Sequence, residues 1–136
     1  MSDFKKSTVY QIYVKSFQDS DGDGVGDLNG IRSRLPYLKS LGVDYIWVTP
    51  FYPSPMKDNG YDVADYCAVN PMFGTMEDCE AMIAEADALG MGFMFDMVFN
   101  HTSAEHEWFQ KSRQRIEPYT DYYIWRSARE DGKLPN

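Results

Sequence analysis

Three short apolar stretches along the chain predict buried β-strands. They are Val9–Phe17, Asp44–Thr49 and Gly92–Phe99. The second and third are almost continuously hydrophobic, which is typical of strands that are covered on both faces. Strands of that kind belong to parallel sheets, so we expect a parallel sheet whose strands are joined by right-handed crossovers.

A helical pattern lies between the first and second stretches. Within Leu28–Leu41 the apolar residues recur every three or four positions, as on one face of an α-helix. Pro36 lacks the amide hydrogen that a helix interior needs, but it is well tolerated in a first turn. We therefore predict two short helices, the second of which begins near Pro36 and ends at Gly42.

A second helical pattern, Met76–Leu89, lies between the second and third stretches. Thr75 is a good N-cap residue and Gly90 is a good stop residue. We interpret its apolar stripe as a core-facing surface; a cofactor-binding stripe is the alternative. The long segment Thr49–Thr75 is rich in proline and glycine, and such loops often carry function.

The order of these elements places the chain in the α/β class. Three strands in an open parallel sheet would leave long apolar edges, whereas a closed eight-stranded barrel needs about 250 residues. A chain of 136 residues would hold less than half of such a barrel. After Phe99 the alternation ends: His106–Arg113 could form a short helix, and the stretch from Glu117 onward lacks clear periodicity.

Composition narrows the classes of function. The formal net charge of −8 argues against a nucleic-acid-binding protein and suits a protein that handles neutral substrates. No run approaches the ~20 apolar residues of a membrane span, and the amino terminus lacks a signal-peptide core, so we expect a cytoplasmic protein without membrane contact. Cys67 and Cys79 lack metal-ligand spacing; we expect free thiols in a reducing compartment rather than a disulfide.

The sequence DSDGDGVGD, residues 19–27, resembles the start of a calcium-binding EF-hand loop. Gly30 stands at the twelfth position, where an EF-hand has a bidentate glutamate, and a strand precedes the loop instead of a helix. The alternative is a solvated acidic turn. Crowded aspartates would repel one another without a cation, so we predict a structural Ca²⁺ site. Its predicted ligands are Asp19, Asp21, Asp23, the Val25 carbonyl and Asp27.

Two further stretches follow predicted strands, at the edge where α/β proteins place their sites. In Asp58–Tyr66 an aromatic ring stands beside carboxylates, which suits a sugar, although an Asn-Gly turn with a buried tyrosine explains the pattern equally well. Asp96 interrupts an apolar strand, and we expect it to be buried and paired with an arginine or another polar group beyond this chain. His101 follows at the strand end, and the pattern alone supports a structural role as well as a functional one.

His106 lies in EHEWF, where we predict a surface turn. We assign it a structural role in preference to a role in zinc binding. A glycine-rich phosphate loop is also disfavoured, because the acidic residues of DGDGVGD would repel phosphate.

Taken together, five motifs carry a family resemblance. VYQIYVKSFQDSDGDGVGDLNGI, LGVDYIWVTPFYPSP, DNGYDVADY, FGTMED and DMVFNHTSAEHEWF resemble the α-amylase family of glycoside hydrolases. They are most similar to its branch of oligo-1,6-glucosidases, α-glucosidases and trehalose-6-phosphate hydrolases. The resemblance covers nearly the whole chain, in the family's order.

The resemblance implies a (β/α)8 TIM barrel with a domain inserted after the third strand. Residues 1–101 would be the first part of the barrel, and residues 102–136 would begin the inserted domain. It also implies that Asp58 binds sugar hydroxyls, that Tyr61 is a stacking platform and that His101 hydrogen-bonds a hydroxyl. Asp96 matches an aspartate beside the family's catalytic arginine.

The implied reaction is retaining hydrolysis of an α-glucosidic bond by an aspartate nucleophile and a glutamate acid. In the family these residues follow later strands, so we expect no catalytic residue in this chain and no activity from the chain alone. Its partners would be a small α-glucoside and the remainder of the same polypeptide. The alternatives are a trehalose-6-phosphate hydrolase and a non-catalytic binding subunit.

Overall fold

A three-stranded parallel sheet forms the centre of the computed structural model, which describes residues 4–134. Its strands are β1 (Val9–Ile12), β2 (Tyr45–Val48) and β3 (Gly92–Phe95), hydrogen-bonded in the order β1-β2-β3. The predicted parallel sheet is therefore confirmed. Strands that neighbour one another in chain order form the wall of a barrel, whereas doubly wound sheets reverse their strand order at a switch point.

The strands are shorter than predicted at their carboxyl ends. The first was expected to reach Phe17, but after β1 the chain forms the one-turn helix α1 (Val14–Phe17). The third was expected to reach Phe99, but residues 96–99 leave the sheet. The cause is β2, which lies between the other two and pairs with them only as far as Val48. Beyond that point a longer strand would find no ladder partner on β2 for its backbone groups.

Helices α2 (Leu28–Ser40) and α3 (Met76–Ala88) pack against each other and against one face of the sheet. The prediction that Pro36 divides the first helical segment is wrong, because α2 runs through it. A proline removes one intrahelical donor, whereas a continuous helix keeps one apolar face in the core. That face comprises Leu28, Ile31, Leu35 and Leu38.

Polar contacts fix the start of α3 and join it to α2. Thr75 accepts a hydrogen bond from the Asp78 amide, and the Asp78 carboxylate accepts one from the Thr75 amide, which forms a capping box. That backbone hydrogen bond from Thr75 is the main reason why the pKa of Asp78 is lowered. Asn29 donates to Asp78 across 2.9 Å, and Arg32 pairs with Glu85 across 2.7 Å.

The two faces of the sheet differ in burial. Ile46 and Val48 face the helices and are fully buried, whereas Trp47 faces the opposite side and is only partly buried. The expectation that both faces are covered is therefore wrong for this chain. In a closed barrel the inner face is covered by side chains of the other strands, and three strands cannot enclose that space.

The carboxyl-terminal third contains one further helix. Helix α4 (Glu107–Arg113) confirms the short helix predicted there, and single turns of 3-10 helix occur at Phe4–Lys6 and Tyr119–Asp121.

Cys67 is exposed, Cys79 is buried, and both are free thiols as predicted. The division between a barrel part, 1–101, and an inserted domain, 102–136, stays a prediction. Within residues 4–134, every helix is too short or too polar to cross a bilayer.

Candidate functional site

The predicted site residues lie at the carboxyl edge of the sheet. Two segments meet there: the loop that joins β2 to α3, and residues 96–103 after β3. Parallel strands end at the same edge, so loops that are distant in sequence become neighbours. The amide of Ser103 donates to the Val63 carbonyl across 2.8 Å and ties the two segments together.

Tyr61 is the residue that brings the site together. Its hydroxyl donates to the Asp96 carboxylate across 2.9 Å, and its carbonyl oxygen lies 3.1 Å from Nε2 of His101. Its amide donates to the Asp58 carbonyl across 3.0 Å. The structure thus brings Tyr61, Asp96 and His101 together from two separate segments, whereas Asp58 contacts Tyr61 through a backbone hydrogen bond within its own loop.

Asp96 is only partly buried, and its partners belong to this chain. Its Oδ2 accepts hydrogen bonds from the Tyr61 hydroxyl and from the indole N–H of Trp47, the latter across 3.2 Å. The expectation of a buried carboxylate is therefore wrong for this chain, in which Asp96 is partly buried. A further partner beyond this chain stays a prediction. Burial raises the pKa of Tyr61, and the hydrogen bond to Asp96 raises it further, so the phenol stays protonated as the donor.

Both ring nitrogens of His101 already have partners. Nε2 faces the Tyr61 carbonyl, which can only accept, so Nε2 carries the hydrogen. Nδ1 lies 3.1 Å from the side-chain amide nitrogen of Asn100. This geometry corresponds to the Nε2–H tautomer. A hydrogen bond from His101 to a sugar hydroxyl would have to share that N–H with the Tyr61 carbonyl or replace it.

Asp62 organises the loop that carries Asp58. Its carboxylate accepts hydrogen bonds from the Ser54 hydroxyl and from the backbone amides of Lys57 and Asp58, across 2.7, 2.9 and 3.1 Å. Burial alone would raise the pKa of Asp62, but the hydrogen bonds from Ser54 and from the two amides outweigh it, so the pKa is lowered. The Asp62 carboxylate therefore holds the loop together. The side chain of Asp58, by contrast, is exposed to solvent.

Sequence reasoning missed Trp47, Asp62 and Tyr66. For Trp47 a signal existed: strand alternation places it on the face opposite Ile46 and Val48. The roles of Asp62 and Tyr66 depend on contacts between loops, which the local sequence does not reveal.

The acidic loop before α2 is closed by its own carboxylates. Asp19 Oδ1 accepts hydrogen bonds from the amides of Asp21 and Gly22, and its Oδ2 accepts one from Gly24. The backbone hydrogen bonds from Gly22 and Gly24 are the main reason why the pKa of Asp19 is lowered. Gly22 and Gly24 both have positive φ, the conformation for which glycine is suited.

Three of the five predicted metal ligands come together. Asp19, Asp21 and Asp27 each offer a carboxylate oxygen, and these atoms lie within 4.8 Å of one another. Among the described residues Asp23 lies outside this group, and it accepts from the amide of Val25. Carboxylate oxygens are hard donors, which suit Ca²⁺ better than a softer metal.

Asp27 and Gly30 also have structural roles at the start of α2. Asp27 is the N-cap and accepts from the Gly30 amide across 2.6 Å, and it accepts from the amide and hydroxyl of Ser20. A side chain at position 30 would collide with the carbonyl oxygen of Gln18. Close helix packing therefore accounts for the glycine that stands in place of the EF-hand glutamate.

The predicted turn is present before α4, but His106 itself is buried, so its predicted surface position is wrong. Its Nδ1 accepts from the Trp108 amide as the cap of α4, and its ring lies 4.6 Å from that of Trp108. Burial lowers the pKa of His106, which favours the neutral imidazole that can accept at Nδ1. These contacts give it a structural role.

Comparison with known proteins shows which family this sequence matches. The sequence model described as "Alpha amylase, catalytic domain" matches residues 11–136. An oligo-1,6-glucosidase from Heyndrickxia coagulans is 52% identical over 134 residues, which are 98% of this chain and 24% of that protein. A trehalose-6-phosphate hydrolase from Bacillus subtilis (strain 168) is also 52% identical, over 97% of this chain and 24% of its own length.

Comparison with solved structures gives the same result as comparison of the sequences. The alpha-glucosyl transfer enzyme XgtA superposes with a TM-score of 0.92 at 52% identity, over 95% of this chain and 24% of that one. The structural neighbours are (β/α)8 barrel enzymes, which confirms the predicted fold class. The chain spans about a quarter of the length of the relatives it matches.

The Asp62 hydrogen bonds generate a stability prediction. Asp62→Ala should lower the free energy of unfolding by about 2 kcal/mol at neutral pH, because three donors lose their acceptor. The folded-state pKa of Asp62 is depressed, so its contribution is present above the unfolded pKa and is lost as the pH falls through the folded value. Denaturant melts of the wild type and of Asp62→Ala at several pH values would measure this. The difference between their free energies of unfolding should shrink in acid.

Asp65→Ala is the matched control, since Asp65 lies in the same loop and accepts from the Cys67 amide. It should lower the free energy of unfolding clearly less than Asp62→Ala does. Equal losses for the two variants, or a difference from wild type that grows in acid, would contradict the role assigned to Asp62.

Proposed function

This chain belongs to the alpha-amylase family, and we propose that it forms part of a parent protein that is a retaining α-glucosidase. The proposed substrates are α-glucosidic bonds in oligosaccharides, as for an oligo-1,6-glucosidase. The observation that supports this most strongly is the Tyr61 junction, which joins Asp96 and His101 at the carboxyl edge of the sheet, with Asp58 in the same loop as Tyr61. Active sites of (β/α)8 barrels lie at that edge.

In this proposal the chain binds and orients one glucose unit. The exposed carboxylate of Asp58 accepts hydrogen bonds from sugar hydroxyls, and the partly buried ring of Tyr61 offers an apolar face to the sugar C–H groups. The hydrogen bond to Asp96 keeps that ring in one orientation. His101 donates its Nε2–H to a hydroxyl after giving up, or while sharing, the Tyr61 carbonyl.

The bond-breaking groups are proposed to come from the rest of the parent protein. A retaining mechanism needs a nucleophilic carboxylate and an acid whose carboxyl groups lie about 5–5.5 Å apart. Asp62 does not take either role in this proposal, because its carboxylate is occupied by three hydrogen bonds of its own loop. The 136-residue chain is therefore proposed to be inactive by itself.

A trehalose-6-phosphate hydrolase is the second candidate. It is supported by the relative from Bacillus subtilis, whose identity of 52% equals that of the oligo-1,6-glucosidase from Heyndrickxia coagulans. Turnover of isomaltose and of trehalose 6-phosphate by the parent protein would separate the two candidates. A non-catalytic binding subunit is a weaker alternative, because the chain keeps the three residues proposed to contact sugar.

Substitution of Asp58 tests the proposed function. In the parent protein, Asp58→Asn should lower kcat/KM for p-nitrophenyl α-glucoside about 100-fold, since hydrogen bonds to a charged group are worth about 1.5–3 kcal/mol. The melting temperature should not change, because the hydrogen bonds described for Asp58 use its backbone. Steady-state kinetics and a thermal melt provide the two measurements.

Asp87→Asn, on the exposed side of α3, is the matched control and should keep full activity. A parent protein that hydrolyses no α-glucoside would refute the proposed function. An Asp58→Asn variant with wild-type kcat/KM would refute the role of Asp58. Hydrolysis by the 136-residue chain at the parent's rate would refute the proposal that the bond-breaking groups come from the rest of the parent protein.

We further propose a structural Ca²⁺ site in the loop of residues 19–27. Its support is the convergence of Asp19, Asp21 and Asp27 and the positive φ of Gly22 and Gly24, which lets the loop close tightly. Asp23 and the Val25 carbonyl stay predicted ligands. The loop lies between α1 and α2, so the ion would hold this connection without taking part in the reaction.

Removal of calcium tests that site. EDTA should lower the melting temperature of the parent protein by several degrees, and added Ca²⁺ should restore it, because a ligand at 100 times its Kd stabilises the folded state by about 2.7 kcal/mol. Asp21→Ala should remove the response, whereas the control Asp87→Asn should keep it. If neither EDTA nor Asp21→Ala changes the melting temperature, the loop is a turn without a metal.

A further inference from the structure

One phenol holds two carbonyl groups of the segment that carries His101. The hydroxyl of Tyr66 lies 2.6 Å from the Val98 carbonyl oxygen and 2.9 Å from that of His101. A phenol has a single hydrogen and carbonyls only accept, so the two carbonyls share one donor. This draws residues 98–101 into a closed turn.

The Tyr66 ring is itself held on several sides. The centroids of Tyr52, Phe99, His106 and Trp108 lie between 5.6 and 6.3 Å from its own. Burial raises the pKa of Tyr66, so the hydroxyl keeps the hydrogen that it donates. A ring packed in this way fixes the donor in space at little further entropic cost.

The segment depends on such contacts because it has left the sheet. Residues 96–103 follow the last ladder position of β3. In place of a ladder, the Val98 and His101 carbonyls bind Tyr66, and the Ser103 amide binds the Val63 carbonyl. The loop after β2 therefore sets the main-chain position of His101.

The same loop sets the orientation of the His101 ring through the Tyr61 carbonyl. Tyr61 and Tyr66 belong to one short stretch, and both pack against the buried cluster of Tyr52, Val63 and Val98. One stretch of loop thus controls both where His101 lies and where its imidazole points.

From this geometry we propose that Tyr66 is a positioning residue for substrate binding by His101. The proposal rests on the proposed function for the contact between His101 and a sugar hydroxyl. In this role the Tyr66 hydroxyl serves the two main-chain carbonyls and not the substrate. It acts by closing the turn of residues 98–101, so that the imidazole stays within reach of the hydroxyl.

Tyr66→Phe in the parent protein tests the proposal, because it keeps the ring and removes only the hydroxyl. It should lower kcat/KM for p-nitrophenyl α-glucoside about tenfold, the size expected for one lost hydrogen bond and a displaced side chain. Tyr52→Phe is the matched control: it lies in the same aromatic cluster, and its hydroxyl donates to the sulfur of Met97 instead. It should keep wild-type kcat/KM.

A double-mutant cycle with His101→Ala separates positioning from general support of the fold. If Tyr66 acts through His101, Tyr66→Phe should change kcat/KM less than about twofold once the imidazole is absent. Equal losses in both backgrounds would overturn the proposal and leave Tyr66 with a merely structural role. Wild-type kcat/KM in the single variant would overturn it as well.

Hydrogen exchange gives a readout that does not need activity. Deuterium uptake by a peptide that spans residues 98–103 should rise in Tyr66→Phe and stay at the wild-type level in Tyr52→Phe. If wild type hydrolyses no α-glucoside, the proposed function is wrong, and the exchange result alone decides whether Tyr66 holds this turn. Unchanged uptake would refute the Tyr66 contact whatever the activity.

Discussion

The hydrogen bond from the Tyr61 hydroxyl to the Asp96 carboxylate is the interaction on which the site depends. A partly buried carboxylate is costly unless donors reach it, and Tyr61 and Trp47 are the donors here. Because Tyr61 comes from the loop after β2 and Asp96 follows β3, satisfying the carboxylate also joins the two segments. The placement of His101 beside the Tyr61 carbonyl follows from that junction.

Carboxylates organise loops elsewhere in the chain by the same rule. Asp19, Asp62 and Asp78 each accept several hydrogen bonds from nearby backbone amides or hydroxyls, and the pKa of each is lowered. These acidic groups therefore hold turns and helix starts. Asp58 differs, because its side chain is exposed while its backbone makes the contacts described for it. That difference is why it suits a ligand in our proposal.

The sequence revealed the elements better than their ends. Hydrophobic runs predicted the three strands, but the extent of each was decided by pairing with β2, which no local pattern encodes. Pro36 suggested a break in the helix, but α2 continues through it and keeps its apolar face buried. The motif resemblance pointed to Asp58, Tyr61, Asp96 and His101, and the structure joins Tyr61, Asp96 and His101 by hydrogen bonds. Tyr66 could not be predicted, because its role comes from two carbonyls more than 30 positions away.

The most direct test of this account is hydrogen exchange in the Tyr61→Phe variant of the parent protein. That change keeps the ring and removes only the hydrogen bond to Asp96. We predict faster deuterium uptake in two separate peptides, one covering residues 57–63 and one covering residues 96–101, because one hydroxyl joins both segments. Unchanged uptake in the second peptide would contradict the account, since the segment after β3 would then be held in place without Tyr61.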